Sequence, residues 1–303
     1  MPGSIRQLAL RALPKAPLIR AWAAYSRRKA QGAAGALAAA GTSPAWLGLD
    51  ALVALQQEYP LRPSRYATEV AEMEQVARQR QREMLAPVHG ELDQLNRFLD
   101  LGMWDGTSCY LLQETGKTAV GIDIRADGLT AKARAKAAHY LQMDVAALGF
   151  ADDSFDFIFS YNSMEHFPDP RRALLEAWRV VRPGGYVYLN FGPIYYSARG
   201  AHQYDSISVP YCECLFTQET MDEFARRNNL TLTEHRWMNE WPVSRYRALW
   251  TEMADRLERV AYYEVYNADH VELIARYPSC FKHKSALIDD FIVSNIEVMF
   301  RKR

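Results

Sequence analysis

Two carboxylates and two glycines, set at fixed intervals among apolar residues, are the groups in this chain best suited to hold a ligand. Phe98-Leu99-Asp100-Leu101-Gly102-Met103-Trp104-Asp105-Gly106 runs from an apolar strand through an acid into a glycine-bearing turn. A helix-compatible stretch, Thr107 to Glu114, follows it. Backbone N–H groups at such a helix start can face a small ligand with no side chain between. Twenty-one residues beyond Gly102, a second apolar run, Ala119-Val120-Gly121-Ile122-Asp123, ends in another carboxylate. An acid in that place can accept both hydroxyls of a ribose lying over the first turn. The chemistry implied is nucleoside binding. The turn alone does not say which nucleoside, because a dinucleotide fingerprint needs three glycines as GxGxxG and this turn supplies Gly102 and Gly106.

The elements that must position these groups can be read from the next ninety residues. Tyr140-Leu141-Gln142-Met143-Asp144-Val145 reads as a third strand with an acid at its end. Phe155-Asp156-Phe157-Ile158-Phe159-Ser160 reads as a fourth, followed by Asn162-Ser163-Met164-Glu165-His166-Phe167. Leu174, Leu175, Trp178 and Val181 fall at helical spacing over 170–181, and Arg182-Pro183-Gly184-Gly185 ends that helix. Tyr186-Val187-Tyr188-Leu189-Asn190 makes a fifth strand. Strands alternating with helices of these lengths predict an α/β fold with a doubly wound, mostly parallel sheet.

With these motifs in order, residues 96–191 resemble the core of a class I S-adenosylmethionine (SAM)-dependent methyltransferase, of the methyltransferase type 11 kind. The resemblance implies a Rossmann-like sheet of seven strands with the last antiparallel, N-terminal helices and helical lid insertions. Strands six and seven would be Leu230-Thr231-Leu232-Thr233-Glu234-His235 and the run Phe291-Ile292-Val293-Ser294-Asn295-Ile296-Glu297-Val298. It further implies that Asp100, Gly102 and Gly106 hold the methionine end of SAM. Asp123 would take the ribose hydroxyls, Ile124 would pack on the adenine, and Asp144 would accept from the adenine amino group beside Val145. Ser160 and Tyr161 would border the transferable methyl. One position departs from the family: Trp104 stands where members usually have a glycine, so its side chain must bend outward or narrow the site.

Composition bounds the rest. The chain has 303 residues with 36 basic and 36 acidic groups, so the whole surface carries no nucleic-acid footprint. Cys109, Cys212, Cys214 and Cys280 lack paired metal spacing and a disulfide framework, which points to a reducing, cytoplasmic compartment. Cys212 and Cys214 with His202 could ligate a metal, but loop polarity is the better account, and no metal is expected. No apolar run reaches the ~20 residues of a membrane span, and nothing sets an oligomeric state.

Charge divides the chain. Residues 1–49 hold no acid and seven cations, Arg6, Arg11, Lys15, Arg20, Arg27, Arg28 and Lys29, interleaved with Leu8, Ile19, Trp22 and Tyr25. This basic N-terminal arm, interrupted by Pro14 and Pro17, reads as a mobile segment with no role, a transit peptide, or a weak peripheral contact with an anionic membrane. Residues 50–95 read as a helical cap, 96–243 as the SAM-binding core with an active-site loop at 192–216, 244–289 as a helical lid insertion, and 290–303 as the last strand.

The loop after strand five should overhang the methyl donor, since open α/β sheets bind ligands beyond the carboxyl ends of their strands. It carries Tyr195, Tyr196 and Tyr204 as substrate-binding candidates and His202 as the leading general base, with His166 second. The expected reaction is methyl transfer to a small-molecule or glycan acceptor, at oxygen. N- or C-methylation and a catalytically silent SAM-binding scaffold are the alternatives.

Overall fold

The computed structural model describes residues 15–61, 69–125, 127–136, 139–203, 205–232 and 238–303. Ahead of the sheet lie α1 (Lys15–Lys29), α2 (Gln31–Ala39), α3 (Leu49–Glu58) and α4 (Val70–Leu85). The first five strands are β1 (Arg97–Leu101), β2 (Thr118–Asp123), β3 (Tyr140–Gln142), β4 (Phe155–Tyr161) and β5 (Val181–Phe191). Helices α5 (Thr107–Glu114), α6 (Ala131–Arg134) and α7 (Pro170–Val180) connect them. Beyond β5 come α8 (Cys212–Leu215), α9 (Gln218–Arg227), α10 (Val243–Glu252) and β6 (Leu257–Tyr266). Helices α11 (Val271–Arg276), α12 (Pro278–Lys282) and α13 (Asp289–Ile292) lead into β7 (Val293–Lys302).

The seven strands form one sheet in the order β3-β2-β1-β4-β5-β7-β6. Strands β1 to β5 pair in parallel, and β7 runs antiparallel to both β5 and β6. Strand order reverses between β1 and β4, and a crevice opens at that switch point, at the carboxyl ends of the strands. Alternating strand residues feed two cores. Phe98, Phe157, Phe159, Tyr186, Tyr188 and Met299 pack under α4 and α5 on one face. Leu99, Leu101, Ile158, Val187, Leu189 and Val298 pack against the opposite layer, with Leu174 and Ala177 of α7. At the other end of the sheet, Asp156 accepts hydrogen bonds from the Asn96 and Arg97 backbones and from the Arg97 and Arg182 guanidinium groups, at 2.8–3.0 Å. Burial alone would raise its pKa, but those bonds outweigh it and hold the carboxyl below the usual range.

Two expectations need correcting. Strand six does not lie at Leu230–Leu232, which are irregular, while Thr233, Glu234 and His235 fall outside the described residues. It is β6, inside the stretch expected to be a helical lid, and it pairs with β7 from Leu257↔Lys302 to Tyr266↔Val293. Valine and tyrosines suit a pleated, half-buried edge, and here they build strand. Residues 244–289 are therefore part sheet and part short helices.

Nor is the N-terminal stretch a free arm where it is described. Helix α1 starts two residues before Pro17, which sits in the first turn, where no N–H is needed. Ala30, Ala33 and Leu37 are buried in the main core. The Trp22 indole N–H donates to the Tyr266 carbonyl at 2.7 Å. Arg27 pairs with Asp289 at 2.8 Å and Lys29 with Asp269 at 3.2 Å. These cations are opposed by acids some 240–260 residues further along the chain. Arg6, Leu8 and Arg11 lie outside the described residues. No described helix is long and apolar enough to cross a membrane.

Candidate active site

The turn after β1 is shaped by backbone. Gly102 has φ of +79°, and its N–H and that of Met103 both donate to the Ile122 carbonyl at 2.9 and 3.0 Å. A Cβ on Gly102 would come within 2.4 Å of the Ser163 hydroxyl, so glycine lets the β1 and β4 turns close on each other. Trp104 adopts a left-handed backbone of the kind glycine favours, with φ of +43°. Its ring bends outward, 56% exposed, with the Arg125 guanidinium 5.9 Å from its centroid. Asp123 closes the turn from β2: its two oxygens accept from the backbone N–H of Trp104 at 3.1 Å and of Arg125 at 3.0 Å.

These elements border a cleft of about 570 Å³, within the ~300–1,000 Å³ of small-molecule sites. The cleft brings together Gly102, Asp123, Ile124, Asp144, Val145 and His166 of the expected set. Asp144 is exposed at the end of β3, where one oxygen accepts from the Ala146 N–H at 2.8 Å. Ile124 and Val145 supply apolar surface together with Met143 and Phe167. Such walls with carboxylates at two ends fit an adenosine with its ribose, which is the observation on which SAM fits this cleft.

Four expected residues lie behind the walls rather than in them. Asp100 is buried under the turn, where the Cys109 thiol donates to it at 3.8 Å. Its carboxyl is pushed up to about 8, by burial first and then by the charges of Asp105 and Asp123, with Arg80 acting the other way. Gly106, at φ +73°, caps α5, and its carbonyl accepts from the Tyr140 hydroxyl at 3.2 Å. The Ser160 hydroxyl donates to the Leu101 carbonyl at 2.7 Å, tying β4 to β1. The Tyr161 hydroxyl donates to the Arg80 carbonyl at 2.7 Å, tying β4 to α4. Asn162, Ser163 and Phe167 line the cleft and were not singled out from sequence, although the strand-end rule points to the first two.

The loop after β5 reaches the cleft through a histidine pair. The imidazoles of His166 and His202 meet edge to face, with centroids 5.1 Å apart. His202 sits at φ +55° with its Nε2 3.3 Å from the Pro193 carbonyl. A carbonyl only accepts, so Nε2 carries the proton and Nδ1 keeps the lone pair. Burial, then the neighbouring His166, pushes the His202 pKa down to about 4. Glu165 anchors the same loop, accepting from the Gly192 N–H at 3.0 Å. Tyr195 and Tyr196 pack on each other with centroids 5.2 Å apart, and burial raises both phenols. Tyr204 lies outside the described residues. No group of three or more potential metal ligands occurs among the described residues.

Comparison with known proteins agrees with this geometry. Residues 99–189 match the methyltransferase domain family. The chain is 30% identical over 210 residues to the arsenite methyltransferase of Aquipseudomonas alcaligenes, covering 63% of this chain and 58% of that protein. It is 27% identical over 191 residues to the demethylmenaquinone methyltransferase of Clavibacter sepedonicus, covering 54% of this chain and 76% of that one. A solved SAM-dependent methyltransferase from Methanosarcina mazei covers 71% of this chain and 96% of its own, at 19% identity and a TM-score of 0.47. The chain thus spans less than two thirds of the length of the first relative. Residues 99–189 are thus similar to the methyltransferase domain family, and the walls of the cleft they border fit S-adenosylmethionine.

Proposed function

We propose that this protein transfers the methyl group of SAM to a hydroxyl of a small-molecule or glycan acceptor. Bound in the cleft, SAM supplies an electrophilic methyl on a sulfonium: the C–S bond breaks as the C–O bond forms, leaving a thioether, and the hydroxyl proton must go to a base. Asp123 holds the ribose hydroxyls through lone pairs left over from its two backbone bonds. Ile124 and Val145 flank the adenine, with Asp144 accepting from its amino group. Asp100, neutral beneath the bare turn, ionises more readily when a cationic amine lies above it, and Gly102 leaves room for that end of the ligand. Much of the acceleration comes from alignment of the two reactants.

The observation that carries the reading is the His166–His202 contact, which sets an imidazole of the β5 loop against the edge of the cofactor cleft. His202 is neutral through the physiological range and takes the acceptor's proton at Nδ1, with His166 shaping the donor side. Tyr195 and Tyr196 stiffen the loop. The thiols argue against a soft metalloid acceptor, which needs thiolates. Burial, then Glu213, pushes the Cys212 thiol far up, and Cys214 behaves in the same way. All four cysteines are free, which supports a reducing compartment.

The test is incubation of the full chain with SAM and fractionated small-molecule extracts, with mass spectrometry for S-adenosylhomocysteine and for products heavier by one methylene. Product carrying the methyl on oxygen supports the reading. Methyl on nitrogen or carbon transfers it to the neighbouring chemistry, and SAM binding without turnover in any extract favours a silent scaffold.

A further inference from the structure

A second cavity, of about 130 Å³, lies beyond His202. Three distant regions wall it: Tyr59 at the end of α3, the β5 loop over Ala198–Gln203 and Ile207–Glu213, and His270 at the entry to α11. The walls are built rather than merely adjacent. Gln56 donates to the Ser208 hydroxyl at 2.7 Å and accepts from the Ser208 N–H at 3.2 Å. The Ser208 hydroxyl donates in turn to the Tyr59 carbonyl. Tyr59 is pinned by its own hydroxyl, 3.1 Å from Glu272, and by the edge of the His270 ring at 5.2 Å.

The lining differs from that of the cofactor cleft. Tyr59, His202, Gln203, Ser208, Glu213 and His270 bring hydroxyl, imidazole, amide and carboxyl chemistry to a space that also has a small apolar wall, from Ala198, Ala201, Ile207 and Val209. Glu213 is 5% exposed, and one of its oxygens has no hydrogen-bond partner among the described residues. Burial pushes its carboxyl up to about 8, so it stands there mainly as a neutral acid. His202 lines this cavity while its ring touches His166, which lines the cofactor cleft, so one histidine pair separates the two spaces. The volume is close to the ~150 Å³ that accommodates benzene.

We infer that this cavity seats the non-reacting end of the methyl acceptor, and that the acceptor is a small polar hydroxyl compound about one ring in size. The inference rests on the proposed methyl transfer and narrows it. Groups that both donate and accept line the space, and they match a polyol or a phenol. A long isoprenoid chain would exceed the volume of about 130 Å³ and would bury the polar groups without partners, which is unfavourable.

The experiment is saturation-transfer NMR on the full chain with SAM present, using cis-1,2-cyclohexanediol and phenol as probes and toluene as the apolar control. The diol and phenol are expected to bind, with toluene about tenfold weaker. Ala201→Phe fills the cavity and is expected to abolish diol binding, while the SAM dissociation constant by calorimetry stays at the wild-type value. Should that variant fail to fold, the milder Ala201→Val should still weaken the diol. Diol binding unchanged in the folded variants, or toluene displacing the diol, overturns the assignment. SAM binding with no probe bound sinks the cavity alone, whereas a wild-type chain that binds no SAM sinks the methyltransferase reading beneath it.

Discussion

The two spaces on either side of the His166–His202 pair are made in different ways. The cofactor cleft comes from one continuous stretch, 102–168, and its groups stand at strand ends fixed by the sheet. The second cavity takes its walls from Tyr59, the β5 loop and His270, more than two hundred residues apart at the extremes. Carboxylates on an apolar ground distinguish the first, and hydroxyl, imidazole and amide groups among small apolar side chains distinguish the second. A sheet can hold a cofactor with local spacing alone. An acceptor pocket assembled from loops depends on side-chain bonds between distant segments, and its selectivity can change while the cofactor site stays intact.

The largest expected effect tests the frame both spaces share. Removing the Asp156 carboxylate takes the acceptor from the Asn96 and Arg97 N–H groups and from two part-exposed guanidinium groups at the base of the sheet, so Asp156→Ala should cost about 3 kcal/mol of folding stability, the upper scale of hydrogen bonds to a charged group. Chemical denaturation would measure it, and both ligand sites should weaken together. Because the folded pKa of Asp156 is depressed, its contribution is full above the ordinary aspartate pKa of ~4 and is lost as the pH falls below it. A variant that loses stability equally at pH 7 and in acid would contradict that account.

Next comes the acceptor side. His202→Ala should lower turnover roughly 10²-fold, the low end for a general base, because a weak base accepts little of the proton in the transition state. Its SAM affinity should not move. The depressed pKa gives a sign as well. Wild-type kcat/KM should show no rise near the ordinary histidine pKa and should fall only as the pH drops toward about 4. An ascending limb near the ordinary histidine pKa would remove His202 as the proton acceptor.

Asp123→Ala tests the opposite side and should weaken SAM binding by about 1.5–3 kcal/mol, the scale of hydrogen bonds to a charged group. Calorimetry that finds equal affinity in a folded variant would remove Asp123 from the ribose. The smallest effect belongs to Trp104. Its left-handed backbone costs a non-glycine residue ~1–2 kcal/mol, so Trp104→Gly should return part of that as stability. A melting temperature lowered by the change would mean that the exposed ring contributes more contact than its position implies.

How much of this was legible depended on how far apart in sequence the cooperating residues lie. Asp100, Gly102, Asp123 and Asp144 announce themselves because strand ends recur at regular intervals in a parallel sheet. Which of them face the cleft was not legible: Asp100 and Gly106 belong to the same turn as Gly102 yet lie behind it. The meeting of His166 with His202 was legible in principle. Strands β4 and β5 pair up to Tyr161↔Asn190, so the loops leaving them emerge side by side. Strand β6 escaped notice because an edge strand half covered by helices shows no clean alternation, and its tyrosines read equally well as helix packing. The basic N-terminal stretch misled for a related reason. The acids facing Arg27 and Lys29 are Asp289 and Asp269, and a local count of charge cannot see them.

The same pairing has a consequence for how copies of the chain behave toward one another. Strand β6 is the rim of the sheet, and a rim strand offers unpaired backbone groups to any second rim that approaches. Helix α1 lies against that strand, with Trp22 bonded to its last carbonyl and Arg27 held by Asp289. Arg247 joins Asp289 to Glu264 of β6 at 2.9 and 2.6 Å, so the first described helix and the outermost strand are fastened by one cluster of charges. Helix α1, which looks from its composition like a tether to something outside the molecule, serves within it as a guard rail, and its removal would leave that rim open to a second one.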